Sequence, residues 1–151
     1  MKNSEVITKW YEEVWNKKNE DAINELYASD CIAHGLADDA GNEIVGPEMF
    51  KVFFRKFIGS FPHIRVTVDD MVSEGDKIAA RATVRLSHTG ENFLLSAEKS
   101  LAPSGKIIEF SGMTFTTIRN GQIAEAWNNF DFLRLYTELG AFETKQEKAM
   151  P

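Results

Sequence analysis

At Pro62 the period at which apolar residues recur changes from helical to two, and this change restricts the fold more than any other feature. Before Pro62 the spacing is helical. Val6, Ile7, Trp10, Tyr11, Val14 and Trp15 share one side of an amphipathic helix, with Lys9, Glu12, Glu13 and Asn16 on the other. Ala22, Ile23, Leu26 and Tyr27 mark a second short helix over about 20–28. "CIAHG" reads as a short strand and "ADDAGNEIVGP" as a polar turn and loop. Gly46, Pro47 and Glu48 then open a third helix, roughly 47–59, with proline at its first position and an acid in its first turn. Its Phe50, Phe53, Phe54 and Phe57 form an aromatic wall.

After Pro62 the period is two. Ile64, Val66 and Val68 alternate with Arg65, Thr67 and Asp69, and after the turn "SEGDK" Ile78, Ala80, Ala82, Val84 and Leu86 share one phase against Lys77, Arg81, Thr83 and Arg85. A less regular strand is expected over about 92–102 and a longer one over 106–119. Asn120-Gly121, a strong hairpin signal, leads into a last strand from Gln122. Phe132, Leu135, Tyr136 and Leu139 form the stripe of a closing helix, 132–139, before Gly140, and the tail 141–151 is expected to fray. Helices first, then a long meander, then one short helix is the order of an α+β domain whose curved sheet is covered on one face. With no linker, repeat or low-complexity segment, the 151 residues are expected to form a single domain.

Composition narrows the function. A net charge of −6 without clustered Lys or Arg argues against a nucleic-acid partner. No apolar run approaches the roughly 20 residues that cross a bilayer, so no membrane partner is expected. One cysteine, Cys31, and a charged N-terminal stretch where a signal peptide carries its apolar core suit a reduced, cytoplasmic setting.

The hairpin defines the candidate site. A two-residue loop at Asn120-Gly121 sets Arg119 opposite Gln122, and the ladder then pairs Ile118 with Ile123, Thr116 with Glu125, Thr114 with Trp127, Gly112 with Asn129 and Phe110 with Asp131 on one side. Neither face of this hairpin is simply polar, so both are expected to be covered, one by the chain's own helices and the other by a second subunit. Glu125, Trp127, Asn129 and Asp131 would then line a cavity with Thr114 and Thr116. A β-bulge in the hairpin would exchange the faces beyond it and put Asn128 there in place of Asn129 and Asp131. Asp131 beside Phe110 would be partly desolvated and suited to exchanging protons near neutral pH; alternatively it caps the helix that starts at Phe132. His34 and His88 are further candidates, as the side chains that titrate near pH 7. Phe50, Phe54 and Trp15 of the helices complete the expected lining. No acids, histidines or cysteines show metal-ligand spacing, and there is no phosphate-binding glycine loop or serine elbow, so no metal or cofactor is expected.

The stretches "VGPEMFKVFFRKFIGSFPHIRVTVDDMVSEGDKIAARATVRLSHTGE", "GKIIEFSGMTFTTIRNGQIAEAWNNFD" and "FLRLYTELG", in that order, resemble the SnoaL-like polyketide cyclase family within the NTF2-like superfamily. The resemblance covers about 30–140. It implies a cone in which a strongly curved antiparallel or mixed sheet wraps around N-terminal helices, a deep apolar pocket and a homodimer formed through the sheet face. It also implies intramolecular aldol ring closure without metal or cofactor, driven by an acid on the last strand; superfamily relatives isomerise steroids, hydrate or dehydrate small apolar substrates, or only bind. The family phrase E-x-W-D-x-x-D stands here as Glu125, Trp127, Asn128 and Asp131, so its first acid is an amide and Asp131 supplies the second. Thr114 stands near a position where some family enzymes have a pocket histidine, and His34 matches a position often histidine. Three functions follow. The first is a cofactor-independent enzyme acting on a small hydrophobic carbonyl compound through Asp131, with His34 and Asn128 or Asn129 orienting the carbonyl. The others are a non-catalytic binder of a hydrophobic metabolite and a dimeric interaction scaffold.

Overall fold

The computed structural model describes residues 1–142. Helix α1 (Asn3–Lys9) runs into a π-helical stretch, Trp10–Asn16, where the Lys17 N–H donates to the Glu12 carbonyl five residues back. The spacing alone predicts an ordinary helix. The wider turn instead brings Trp10, Tyr11, Val14 and Trp15 to one buried face, and such segments recur at functional sites. Helix α2 (Asp21–Leu26) stops short of the expected 20–28 because Tyr27 already starts a strand, whereas α3 (Gly46–Ser60) and α4 (Phe132–Leu139) lie where the stripes place them.

Strands β1 (Tyr27–Ala37), β2 (Glu43–Val45), β3 (Arg65–Glu74), β4 (Lys77–Ser87), β7 (Ile107–Arg119) and β8 (Gln122–Phe130) form one sheet in the order β2-β1-β8-β7-β4-β3. Only β1 and β8 run parallel among its pairs, so the sheet is mixed and the domain is α+β. "CIAHG" is the centre of an eleven-residue strand rather than a short one. The irregular stretch expected as one strand splits into a separate hairpin, β5 (Phe93–Ser96) and β6 (Lys99–Leu101), because the Ser96 hydroxyl accepts from the Glu98 and Lys99 amides and turns the chain. Register shifts in β1, β3 and at the β7/β8 turn bend the sheet.

The inward face of the sheet, represented by Ile78, Ala80, Ala82, Val84 and Leu86 of β4, is buried under the helices. Trp15 meets Phe50, Phe53, Phe54 and Phe57 with ring centroids between 5.4 and 6.4 Å, and Phe57, Phe61 and Phe93 continue the aromatic layer toward β5. Rings of this size supply most of the apolar area that such a core buries. The tail expected to fray from residue 141 departs from that at its first residue: Ala141 is buried, and its carbonyl accepts from the Lys99 ammonium. The remainder of that expectation falls on residues 143–151, outside the described residues.

Candidate functional site

The tip of the β7/β8 hairpin has the expected register, Arg119 with Gln122 and Ile118 with Ile123. Beyond it β8 takes one extra residue, Ala124, so that Thr117 pairs with Glu125, Thr116 with Ala126, Thr114 with Asn128 and Gly112 with Phe130. A strand's side chains alternate, so one inserted residue exchanges the faces of everything that follows. Thr114, Thr116, Ala126, Asn128 and Phe130 therefore point inward, and Met113, Phe115, Glu125, Trp127 and Asn129 point outward.

The inward set closes one end of a cavity whose remaining walls are Trp10, Tyr11 and Trp15 from the π-helical stretch, Phe50, Phe53 and Phe57 from α3, Leu36 from β1 and Phe132 from α4, among other apolar residues. Space for the centres of water molecules amounts to about 80 Å³, which corresponds to roughly half a dozen waters or a ligand of roughly ten non-hydrogen atoms. The lining is nearly all hydrocarbon. Its polar groups gather at Tyr11, Thr114, Thr116 and Asn128. The Thr116 hydroxyl donates to the Ile78 carbonyl and is spoken for. The Asn128 amide donates through Nδ2 to the His34 carbonyl at 2.9 Å, which assigns its orientation and leaves Oδ1 as the acceptor. Burial pushes the Tyr11 phenol up to about 12, opposed by the nearby Thr114 hydroxyl, so the phenol stays protonated at neutral pH.

Two glycines make this geometry possible. Gly35 has φ +81°, and a Cβ there would lie 1.9 Å from the Asn128 carbonyl oxygen. Glycine therefore lets β1 press against β8 and shift phase, so that both Ala33 and Leu36 face the cavity. Gly112 leaves room for the cross-strand ring of Phe130, which an added Cβ would meet at 2.3 Å.

Of the residues the sequence nominates, Trp15, Phe50, Thr114, Thr116 and Asn128 line the cavity. The others, Glu125 among them, lie elsewhere. Trp127 and Asn129 are exposed on the outer face because of the extra residue in β8. Asp131 is exposed and caps α4, its carboxylate accepting from the Arg134 amide at 3.0 Å. Phe54 packs against Trp15 outside the cavity wall, and His88, fully buried beside Phe61, donates through Nε2 to the Glu91 carbonyl, which marks it as a structural residue of the β4–β5 connection. His34 pairs with Trp127 across the parallel β1/β8 ladder and points outward with it. Its ring stacks on Trp127 at 5.1 Å, with Nε2 on Glu125 at 2.7 Å and Nδ1 on Glu43. The hydrogen bond to Glu125, then that to Glu43, raises the His34 pKa above the usual imidazole range. Cys31 is buried, and desolvation pushes its thiol up to about 12, so it is an inert core side chain. The group that residue reasoning missed is Tyr11: it sits in an apolar helical stripe, and the signal was that a core-facing tyrosine still needs a partner for its hydroxyl. Among the described residues no three His, Cys, Asp or Glu are placed to hold a metal ion, and no helix is long and apolar enough to cross a membrane.

The family described as SnoaL-like polyketide cyclase matches residues 5–139. Among solved structures, wild-type IdmH from Streptomyces antibioticus, described as a candidate polyketide cyclase, is 27% identical with a TM-score of 0.77, covering 93% of this chain and 99% of its own. A candidate SnoaL-like polyketide cyclase from Jannaschia sp. CCS1 is 23% identical with a TM-score of 0.75, covering 93% of each chain. A protein with a ketosteroid isomerase-like fold from Catenulispora acidiphila, 15% identical with a TM-score of 0.71 over 93% of this chain and 98% of its own, shares the fold. Comparison with functionally curated proteins found no match.

Proposed function

Because the chain belongs to the SnoaL-like polyketide cyclase family, we propose that it keeps that family's apolar pocket as a receptor for a small hydrophobic molecule with one hydrogen-bonding oxygen, and does not move protons through a pocket acid. One observation carries this reading: among the residues lining the inner cavity there is no carboxylate and no imidazole, and the last-strand position that faces it holds Asn128. A carboxamide does not titrate, and the two acids of the phrase lie outside the cavity, Asp131 as a helix cap and Glu125 against His34 on the outer face. Tyr11 and Thr114 offer hydroxyls to a ligand carbonyl or hydroxyl, Asn128 Oδ1 offers an acceptor, and the aromatic walls bury the rest. Such a pocket, mostly apolar with a few convergent polar groups, is the usual form of a small-molecule site.

Trp10 and Trp15 line the cavity, so its occupancy is readable in tryptophan emission. Titration of the Trp127→Phe protein with 4-methylphenol, which has about eight non-hydrogen atoms and one hydroxyl, is expected to show saturable binding that is flat between pH of about 5 and 8. Tyr11→Phe is expected to weaken it about three- to tenfold, the scale of one net hydrogen bond. Binding that follows a single titration within that pH range, or insensitivity to Tyr11→Phe, would refute the reading. We place a second copy of the chain on the outer sheet face, where Met113, Phe115 and Trp127 expose contiguous apolar surface. Sedimentation of wild type against Phe115→Glu tests it, with a monomeric wild type as the overturning result.

A further inference from the structure

Beyond the inner cavity lies a second compartment of about 340 Å³, lined by Gly35 to Asp39, Gly41, Lys56, Leu94, Leu95 and Tyr136. Leu36, Phe53, Phe57 and Phe132 line both compartments. The two compartments therefore adjoin at these side chains, the second forming a vestibule toward the Asp38–Gly41 turn. Its volume reaches the range of small-molecule sites, whereas the inner chamber holds only a ring. The vestibule lining mixes the hydrocarbon of its leucines and phenylalanines with the polar groups of Asp38, Asp39, Lys56 and Tyr136. Lys56, of α3, is the one cation among the described residues lining either compartment. Its side chain is largely buried, with Nζ over the face of Phe93 at 4.7 Å, and Asp39 meets it at 2.7 Å.

The two acids that line the compartment with Lys56 differ in what holds them. Asp38 is committed to the β1–β2 connection, accepting from the Ala40 and Asn42 amides and the Asn42 side chain, which lower its pKa. Asp39 is half exposed, and its recorded side-chain partner is Lys56. A largely buried cation with a solvent-facing counter-ion is a site where a ligand anion can take the counter-ion's place, since Asp39 regains water when it leaves.

We propose that the vestibule is a second subsite adjoining the inner chamber, that it receives a carboxylate at the far end of an elongated ligand whose ring enters the inner chamber, and that Lys56 selects this group in exchange for Asp39. The inference rests on the inner chamber being the ligand's apolar seat. The test compares 4-methylphenol, which fills only the inner chamber, with 4-hydroxyphenyl alkanoates of roughly four to eight chain carbons and their methyl esters, a length that spans a site of this size. The carboxylates are expected to bind the wild type about ten- to a hundredfold more tightly than the esters, the range of one charge-assisted hydrogen bond. Lys56→Met should abolish the difference, Lys56→Arg should keep it, and Asp39→Asn should tighten the carboxylates while leaving the esters and 4-methylphenol unchanged. Equal affinity of acid and ester for the wild type, a preference that survives Lys56→Met, or no effect of Asp39→Asn overturns the proposal. Failure of 4-methylphenol to bind would instead overturn the inner-chamber reading, because that probe does not reach Lys56.

Discussion

Replacing Asn128 with Asp restores an acid at the cavity-facing position of the last strand, and the surroundings determine how that acid must behave. In the wild type the amide donates to the His34 carbonyl at 2.9 Å in a partly buried site. An ionised Asp has no proton to donate, so two acceptors would face each other. Losing the bond and leaving the carbonyl unsatisfied costs about 1–3 kcal/mol, and desolvation of the charge adds to it. The protonated acid, in contrast, can donate the same bond. If the ionised form is disfavoured by about 3–4 kcal/mol in the folded protein, then at 1.36 kcal/mol per unit its pKa rises from about 3.9 to roughly 6–7. For an acid whose folded pKa is raised, the folded state holds more protons than the unfolded state between the two values. Stability is therefore retained below a pH of about 4 and lost as pH rises toward about 7. At about 2–4 °C per kcal/mol for a chain of this size, the variant should melt roughly 6–16 °C below wild type at neutral pH and much closer to it at a pH of about 4. Thermal melts of both proteins across this range, with carbon-13 NMR titration of the Asp carboxyl, check it. A constant melting difference at all pH values, or a carboxyl that titrates near 4, would show that the Asn128 amide is not held against β1 in a desolvated site.

Asp131→Ala should cost about 0.5–2 kcal/mol of stability, the worth of an N-cap, and leave binding of 4-methylphenol unchanged; loss of binding at full stability would return Asp131 to the site. The His34 pairs with Glu125 and Glu43 raise its folded pKa, so their stabilisation is present below the unfolded value of about 6.5 and lost as pH rises through the folded one. Melting of His34→Gln against wild type should converge at alkaline pH, and a gap that widens with pH contradicts this. Gly35→Ala adds a methyl 1.9 Å from a backbone oxygen at φ +81°, for about 2–5 kcal/mol, so a denaturation midpoint equal to wild type would refute the packing of β1 on β8.

Much of the fold is written locally. The stripes of α1, α3 and α4 and the alternation of β4 follow from burying apolar side chains at periods the backbone imposes, and Asn120-Gly121 sets its turn through its own conformational preferences: Asn120 and Gly121 both have positive φ. The family phrases, including the substitution at Asn128, are likewise plain in the chain itself. The π-helical turn was not legible, because Trp10, Tyr11, Val14 and Trp15 suit an ordinary helix equally well and only the rings of α3 and Tyr27 packed against them choose the wider one. Nor was the extra residue at Ala124, on which the candidate site depends. "QIAEAWNNF" alternates acceptably in either phase, since each face would receive apolar and polar residues. What selects the phase is the contact of Gly35 on the Asn128 backbone and of Phe130 over Gly112, long-range fits between strands that no local preference encodes. That single choice sends Asn128 inward and leaves Trp127, Asn129 and Asp131 outside, so residue types set what chemistry was available and strand packing set which of it faces the cavity.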